Sequence, residues 1–278
     1  MVRALVDRFR QTDDTEYVVW RRPTVFPSYR VKYLTYVLLI GFVLWSAWAI
    51  RISPERFIQG LGATAEFLES MWPPDFGERE RELIREGIGE TLAMAVVATI
   101  LGVAASLPVA FMAARNLAPW PVYYFARSVI MISRSFHSLI IGIIFVVAVG
   151  FGPFAGALTL SFATVGFYAK ILADDLENID MGQLRAIEAA GANKLQVILY
   201  GAVPQALPRM IGLAIYRWDI NVRSSTIIGI VGAGGIGFTL LNAFDRYQYD
   251  FAVAILIVIV AIVLAGEVAS AMIRRRIR

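Results

Sequence analysis

Residues 216–237 read YRWDINVRSSTIIGIVGAGGIG. The stretch closes an apolar run over 204–231, which at about 1.5 Å per helical residue is long enough to cross a hydrocarbon core of about 30 Å. An Arg or Asp at the centre of a spanning helix costs about 2.5–3.5 kcal/mol on insertion scales, so Arg217, Asp219 and Arg223 must face protein or water. At about 100° per residue, Arg217, Asn221 and Ser224 fall within about 60° of one another, whereas Asp219 and Arg223 share a different face at i,i+4 spacing. Asp219 and Arg223 can neutralise each other as a structural ion pair. Arg217 keeps only neutral neighbours on its stripe.

The run ends in Gly232, Gly234, Gly235 and Gly237, which formally spell G-x-G-x-x-G. A dinucleotide site needs a strand before that motif, a helix opening at it and an acidic residue about 20 positions on. Here a membrane-length run precedes it, and the next acids are Asp245 and Asp250. The nucleotide reading is rejected. The glycines instead permit tight turns and close backbone approach. No G-x-x-x-x-G-K-[ST] run occurs, so the chain carries no recognisable ATP site of its own.

Five further apolar runs, at 33–50, 90–114, 122–150, 154–173 and 251–273, predict an all-α integral membrane protein with six transmembrane helices. The composition agrees: 58% of the 278 residues are hydrophobic and 17% charged, with a mean hydropathy of +0.64. Only nine of the 48 charged residues fall in the six runs. There is no Cys and a single histidine, His137, which leaves no disulfide framework and little material for a metal site or a Ser/His triad. The net charge of +4 calls for no nucleic acid.

Both ends are basic, with Arg3, Arg8, Arg10, Arg21, Arg22, Arg30 and Lys32 at one and Arg274, Arg275, Arg276 and Arg278 at the other. The positive-inside rule places both termini in the cytoplasm and favours an even number of crossings; fifteen Lys/Arg then lie inside against six outside. The run 122–150 carries Arg127 and Arg134 and is long enough to break into two pieces. In the outer segment 52–89, Phe57, Leu61, Phe67, Leu68, Met71 and Trp72 fit either a helix lying at the outer interface and ended by Pro73-Pro74, or a solvated loop.

On the third run Arg127, Arg134 and Ser138 share a stripe, with His137 to its side, and Arg134 stands about 18 Å along from Val122. Arg134 and Arg217 could line a chamber for an anion, since guanidinium groups match oxyanions in bidentate geometry. Equally, they could cap helix carbonyls or join interhelical pairs. Arg134, His137, Ser138, Arg217, Asn221 and Ser224 are the candidates for such a path.

Between the fourth and fifth runs the spacing predicts a short helix from Met181, stopped by Gly191, and a second beginning at Lys194 with Asn193 as its cap. Ala186, Ala189 and Ala190 let another surface approach closely, while Leu184, Ile187 and Leu195 offer apolar contacts. A docking element and an interfacial re-entry loop are both open on these residues alone.

The string Glu188-Ala189-Ala190-Gly191-Ala192-Asn193, with Pro204-Gln205-Ala206-Leu207-Pro208 after it, resembles the cytoplasmic coupling loop of ABC importer permeases. The stretch from Tyr216 to Gly237 is similar to the phosphonate-importer permeases of that group. The resemblance covers roughly 90–273 and implies a type I importer core of five helices plus one N-terminal helix. It divides the chain into a cytoplasmic segment 1–32, an added span with its outer segment at 33–88, a permease domain at 89–273 with the coupling loop at 181–200, and a basic tail at 274–278. In the superfamily an acid stands six positions before the loop glycine, where this chain has Arg185; Glu188, three before it, lies nearly one turn on.

The resemblance also implies a bacterial inner-membrane homodimer surrounded by lipid. Two ATP-binding cassette subunits would bind ATP and Mg and grip the 181–200 loops, an external binding protein would deliver a phosphonate, phosphite or phosphate, and the glycine turn would form the outer gate. This chain would bind no cofactor and catalyse no bond chemistry. Import of an amino acid or another small solute by the same architecture is the alternative, ahead of a secondary anion carrier or channel.

Overall fold

The computed structural model describes residues 26, 28–50 and 54–277. The basic N-terminal stretch from Arg3 to Arg22, together with Arg51 and Arg278, lies outside the described residues. Among the described residues every regular element is helical. They form two compact units, one reaching Thr64 and the other beginning at Ala65.

In the first unit, α1 (Tyr29–Ala49) starts where the Ser28 hydroxyl accepts the Arg30 N–H at 3.1 Å. Its 21 residues span about 31 Å. The helix is apolar all round and its side chains are exposed, with Leu38 at 64%, a surface suited to lipid. Helix α2 (Pro54–Glu69) runs across the division at Thr64. Beyond it, in the second unit, the Phe67 ring meets that of Tyr249 edge to face at 4.9 Å.

The rest of the second unit is α3 (Glu78–Met112), α4 (Trp120–Ser135), α5 (Ser138–Val149), α6 (Pro153–Glu177), α7 (Met181–Ala189), α8 (Lys194–Val197), α9 (Val203–Ile228), α10 (Gly235–Asp245) and α11 (Tyr249–Ile277). A π-helical turn at Ile198–Ala202 precedes α9, and Gly229–Ala233 follows it, with the backbone leaving helical geometry at Val231 and Gly232. Among the described residues five helices are long and apolar enough to cross a membrane, and α4 with α5 make a sixth as a bent pair.

One expectation about span limits changes. Residues 78–89, read as part of the outer segment, are the first three turns of α3. Glu78 and Glu80 suit the positive end of a helix, and Ile84 and Gly87 are buried against α10, so the extension has a packing partner. The run 122–150 does break into two pieces, as its length allowed: α4 and α5 meet at 91°. Phe136 is extended at the corner, and His137 opens α5 by accepting the Leu139 N–H on Nδ1 at 3.3 Å.

The centre of the unit is the pair α3 and α6. Gly102 lies directly beneath Thr164, where a Cβ would also stand 3.0 Å from the Ser161 carbonyl, and Ala98, Ala155 and Ala157 are buried nearby. Small residues of this kind let spanning helices approach closely when apolar surface alone does not drive them together. Helix α4 is tied to the same face: the Ser133 hydroxyl donates to the Phe162 carbonyl at 2.8 Å and accepts the Gly166 N–H at 3.1 Å. One apolar cluster, with Tyr168, Leu172, Leu176 and Leu213, lies toward α7. Another, with Ile84, Ile236, Leu240 and Phe251, fills the opposite end.

Candidate functional site

Three groups of side chains, at the two ends and in the middle of the second unit, carry the candidate residues. At the first end, the Asp180 carboxylate accepts the Gly182 N–H at 2.8 Å and starts α7. Gly191, at φ +89°, ends the turn in a backbone conformation that other residues rarely adopt. Asn193 and Gln196 then form a reciprocal capping box, with bonds of 3.0 and 2.8 Å, that starts α8.

The loop is fastened to its own chain from below. Leu184 is 3% exposed and packs at Gly201, so it is not available to a partner as the sequence had it. The physical reason is that Gly201, in the π-helical turn before α9, has no side chain to hold α7 away. Gln205 adds polar support, accepting the Asp180 N–H at 2.9 Å and donating to the Gly201 carbonyl at 3.0 Å.

What α7 and its turn present outward is Arg185, Ala186, Glu188, Ala189, Ala190, Gly191 and Asn193, with Ala192 half-buried. Leu195, on α8, is also exposed. Neither Arg185 nor Glu188 has an ion pair among the described residues.

Behind the loop, Arg127 joins helix ends that local spacing could not connect. Its guanidinium donates to the Ala113 carbonyl at 3.0 Å, to Asp174 at 3.1 Å and to Glu177 at 2.9 Å. Arg209 on α9 donates to Asp175 at 2.9 Å. These groups are partly exposed, and each pair contributes on the order of 1 kcal/mol or less. Their effect is geometric, since together they set the ends of α3, α4, α6 and α9 under the loop.

In the middle, α3, α6 and α9 meet at a polar junction. The Thr164 hydroxyl donates to the Leu160 carbonyl at 2.6 Å while accepting from Arg217 Nε at 2.9 Å and from Asn221 Nδ2 at 3.3 Å. The Thr99 hydroxyl likewise donates to the Ala95 carbonyl and accepts from Asn221 at 2.9 Å. Asn221 Oδ1 is buried without a hydrogen-bond partner among the described residues.

Arg217 is 6% exposed, with its guanidinium 5.1 Å from the Phe167 ring centroid. The open chamber expected at Arg217 is therefore not what surrounds it in this conformation. A guanidinium within an apolar helix packs where acceptors exist, and Thr164 and Phe167 supply a hydroxyl and a ring face.

The remaining candidates lie apart from that junction. Asp219, 5% exposed, accepts from Arg223 at 2.8 Å, and the Arg223 side chain reaches outward. Arg134 is exposed in the last turn of α4, where a cation suits the helix C-terminus. His137 and Ser138 sit at the corner between α4 and α5, and Ser224 is half-buried on α9. No hydrogen bond or ion pair joins Arg134, His137 or Ser138 to Arg217.

At the other end, Gly232, Gly234 and Gly235 have φ of +89°, +77° and +74°, and Gly237 faces the Thr226 carbonyl with no room for a side chain. The turn lies on α3. The Gly235 N–H donates to the Glu90 carboxylate at 2.7 Å, and the Ile236 N–H donates to the Thr91 hydroxyl at 2.9 Å. Two of the first amides of α10 are thus satisfied by residues that sequence reasoning passed over. The signal was available: an acid and a Thr stand together at the head of an otherwise uncharged apolar run.

Residues 106–278 match the family described as binding-protein-dependent transport system inner membrane component. The phosphite transport system permease protein PtxC of Stutzerimonas stutzeri is 41% identical over 243 residues, 87% of this chain and 88% of that one. The phosphate-import permease protein PhnE of Mycolicibacterium smegmatis is 37% identical over 86% of this chain, which spans 45% of that protein's length. Among solved structures, an inward-facing conformation of the MetNI methionine ABC transporter superposes with a TM-score of 0.64 at 26% identity, covering 73% of this chain and 100% of the matched one.

Proposed function

We propose, from the premise that the chain belongs to the binding-protein-dependent transport system inner membrane component family and is a multi-pass ABC importer permease, that it carries a small phosphorus oxyanion inward. The supporting observation is the 41% identity to a phosphite permease along 87% of the chain. A methionine permease of Vibrio cholerae is 27% identical over 70% of it, which gives the amino-acid alternative less support.

Importer permeases work with ATPase subunits and a binding protein. We assign ATP and Mg to two cassette subunits that grip the outward face of α7, using its small residues and the charges of Arg185 and Glu188. The second permease is assigned to another copy of this chain, with both termini in the cytoplasm of a bacterium and the glycine turn as the outer gate. Arg217 and Asn221 are held on Thr164 in the present conformation; movement of α9 away from α6 would free the guanidinium for the passing anion. The permease contributes differential packing between two states rather than bond chemistry.

The test is growth on a single phosphorus source. A strain lacking this permease, supplied with phosphite, methylphosphonate or limiting phosphate, recovers growth on at least one of them when the chain is restored with its cassette and binding-protein partners. Recovery on none of the three, with the complex present in the membrane, refutes the assignment.

A further inference from the structure

A cavity of about 830 Å³ opens between α6, α9 and α11, at the end of the second unit that carries α7. Its lining combines apolar Ile171, Leu213 and Ala271 with the cations Arg209, Arg274 and Arg275, and among the described residues no acidic side chain lines it. The cations are positioned. Arg274 donates to the Ser270 hydroxyl and lies 5.6 Å from the ring centroid of Tyr216, itself part of the wall. Arg209 is held toward α6 by Asp175 at 2.9 Å. Arg275 has no hydrogen bond or ion pair among the described residues.

Guanidinium groups match phosphoryl oxygens in shape and charge, and basic pockets between spanning helices are suited to anionic lipid headgroups. A free oxyanion shares that headgroup chemistry but leaves the apolar lining residues unmatched. An amphiphile uses both. We propose that this cavity binds the phosphate headgroup of an anionic lipid, its acyl chains lying along Ile171, Leu213 and Ala271. Such a lipid bridges three helices beside the coupling loop. The inference does not depend on which solute is carried.

The test uses the purified transporter complex, with bound lipid counted by native mass spectrometry after titration with phosphatidylglycerol or with phosphatidylcholine. The wild type retains phosphatidylglycerol selectively. The double variant Arg274→Gln, Arg275→Gln weakens that retention about thirtyfold, given two lost cation contacts. Arg115→Gln, an exposed arginine outside the cavity, leaves it unchanged.

Gly212 lines the cavity, and a Cβ there would meet nothing within 4 Å. Gly212→Leu therefore projects an apolar side chain into the cavity while keeping every charge, and lowers the retention even if the double variant fails to assemble. Undiminished retention in Gly212→Leu, or in an assembled double variant, overturns the proposal. So does displacement of phosphatidylglycerol by millimolar inorganic phosphate or methylphosphonate, which would assign the cavity to a free oxyanion.

Discussion

The Glu90 carboxylate accepts the backbone N–H of Gly235 at 2.7 Å, joining α3 to the glycine turn across 145 residues of chain. Because Gly234 and Gly235 both stand at positive φ, the turn has little local structure to hold it, and it is fixed by this bond, by that from Ile236 to Thr91 and by that from the Gly152 N–H to the Gly232 carbonyl at 3.1 Å. Loss of a charged cap at a helix N-terminus costs about 1 kcal/mol. Glu90→Ala should therefore speed hydrogen exchange at the amides of 235 and 236 about fivefold while leaving α6 protected. Unchanged exchange at both amides would show that the turn is held by its packing alone.

Thr164 is the shared acceptor of Arg217 and Asn221, so its hydroxyl matters more than its volume. Thr164→Val, which keeps the shape, should lower thermal stability in detergent by about 1–3 kcal/mol, and Thr164→Ser should recover most of it. Equal melting of the Val and Ser variants would mean that the junction is satisfied elsewhere.

Arg217 makes its side-chain hydrogen bond to a neutral hydroxyl, and among the described residues no carboxylate pairs with it. If the guanidinium serves the anion, Arg217→Ala in reconstituted transporter should cut uptake at least tenfold, on the scale of one lost charged hydrogen bond, with the complex intact. Transport at the wild-type rate would assign Arg217 to packing.

Ala189 is exposed on α7 beside Ala186 and Ala190, and no described residue covers it. Ala189→Arg should leave the permease folded and membrane-inserted but abolish co-purification of the cassette subunits. Normal co-purification would move the docking contact off this face.

What was legible in the sequence followed local rules. Gly191 ending one short helix and Asn193 starting the next are decided within a few residues, as is the i,i+4 approach of Asp219 and Arg223. Helix count followed from apolar length, because a spanning helix must satisfy its own backbone. What escaped notice needed a second segment. Leu184 turns inward because Gly201 lies beneath it, Arg217 is buried because Thr164 waits 53 residues upstream, and Arg127 finds Asp174 and Glu177 on another helix. The length of 122–150 allowed a break, but the corner at Phe136 and His137 carries neither Pro nor Gly, so no local signal marked its place.

The central claim is that the chain passes a phosphorus oxyanion under the drive of separate ATPase subunits. Its most direct measurement is ATP hydrolysis by the reconstituted complex with its cognate binding protein, comparing phosphite, methylphosphonate, phosphate and methionine. Stimulation by at least one phosphorus oxyanion and none by methionine is expected; stimulation by methionine alone, or by none of the four in an assembled complex, would contradict it.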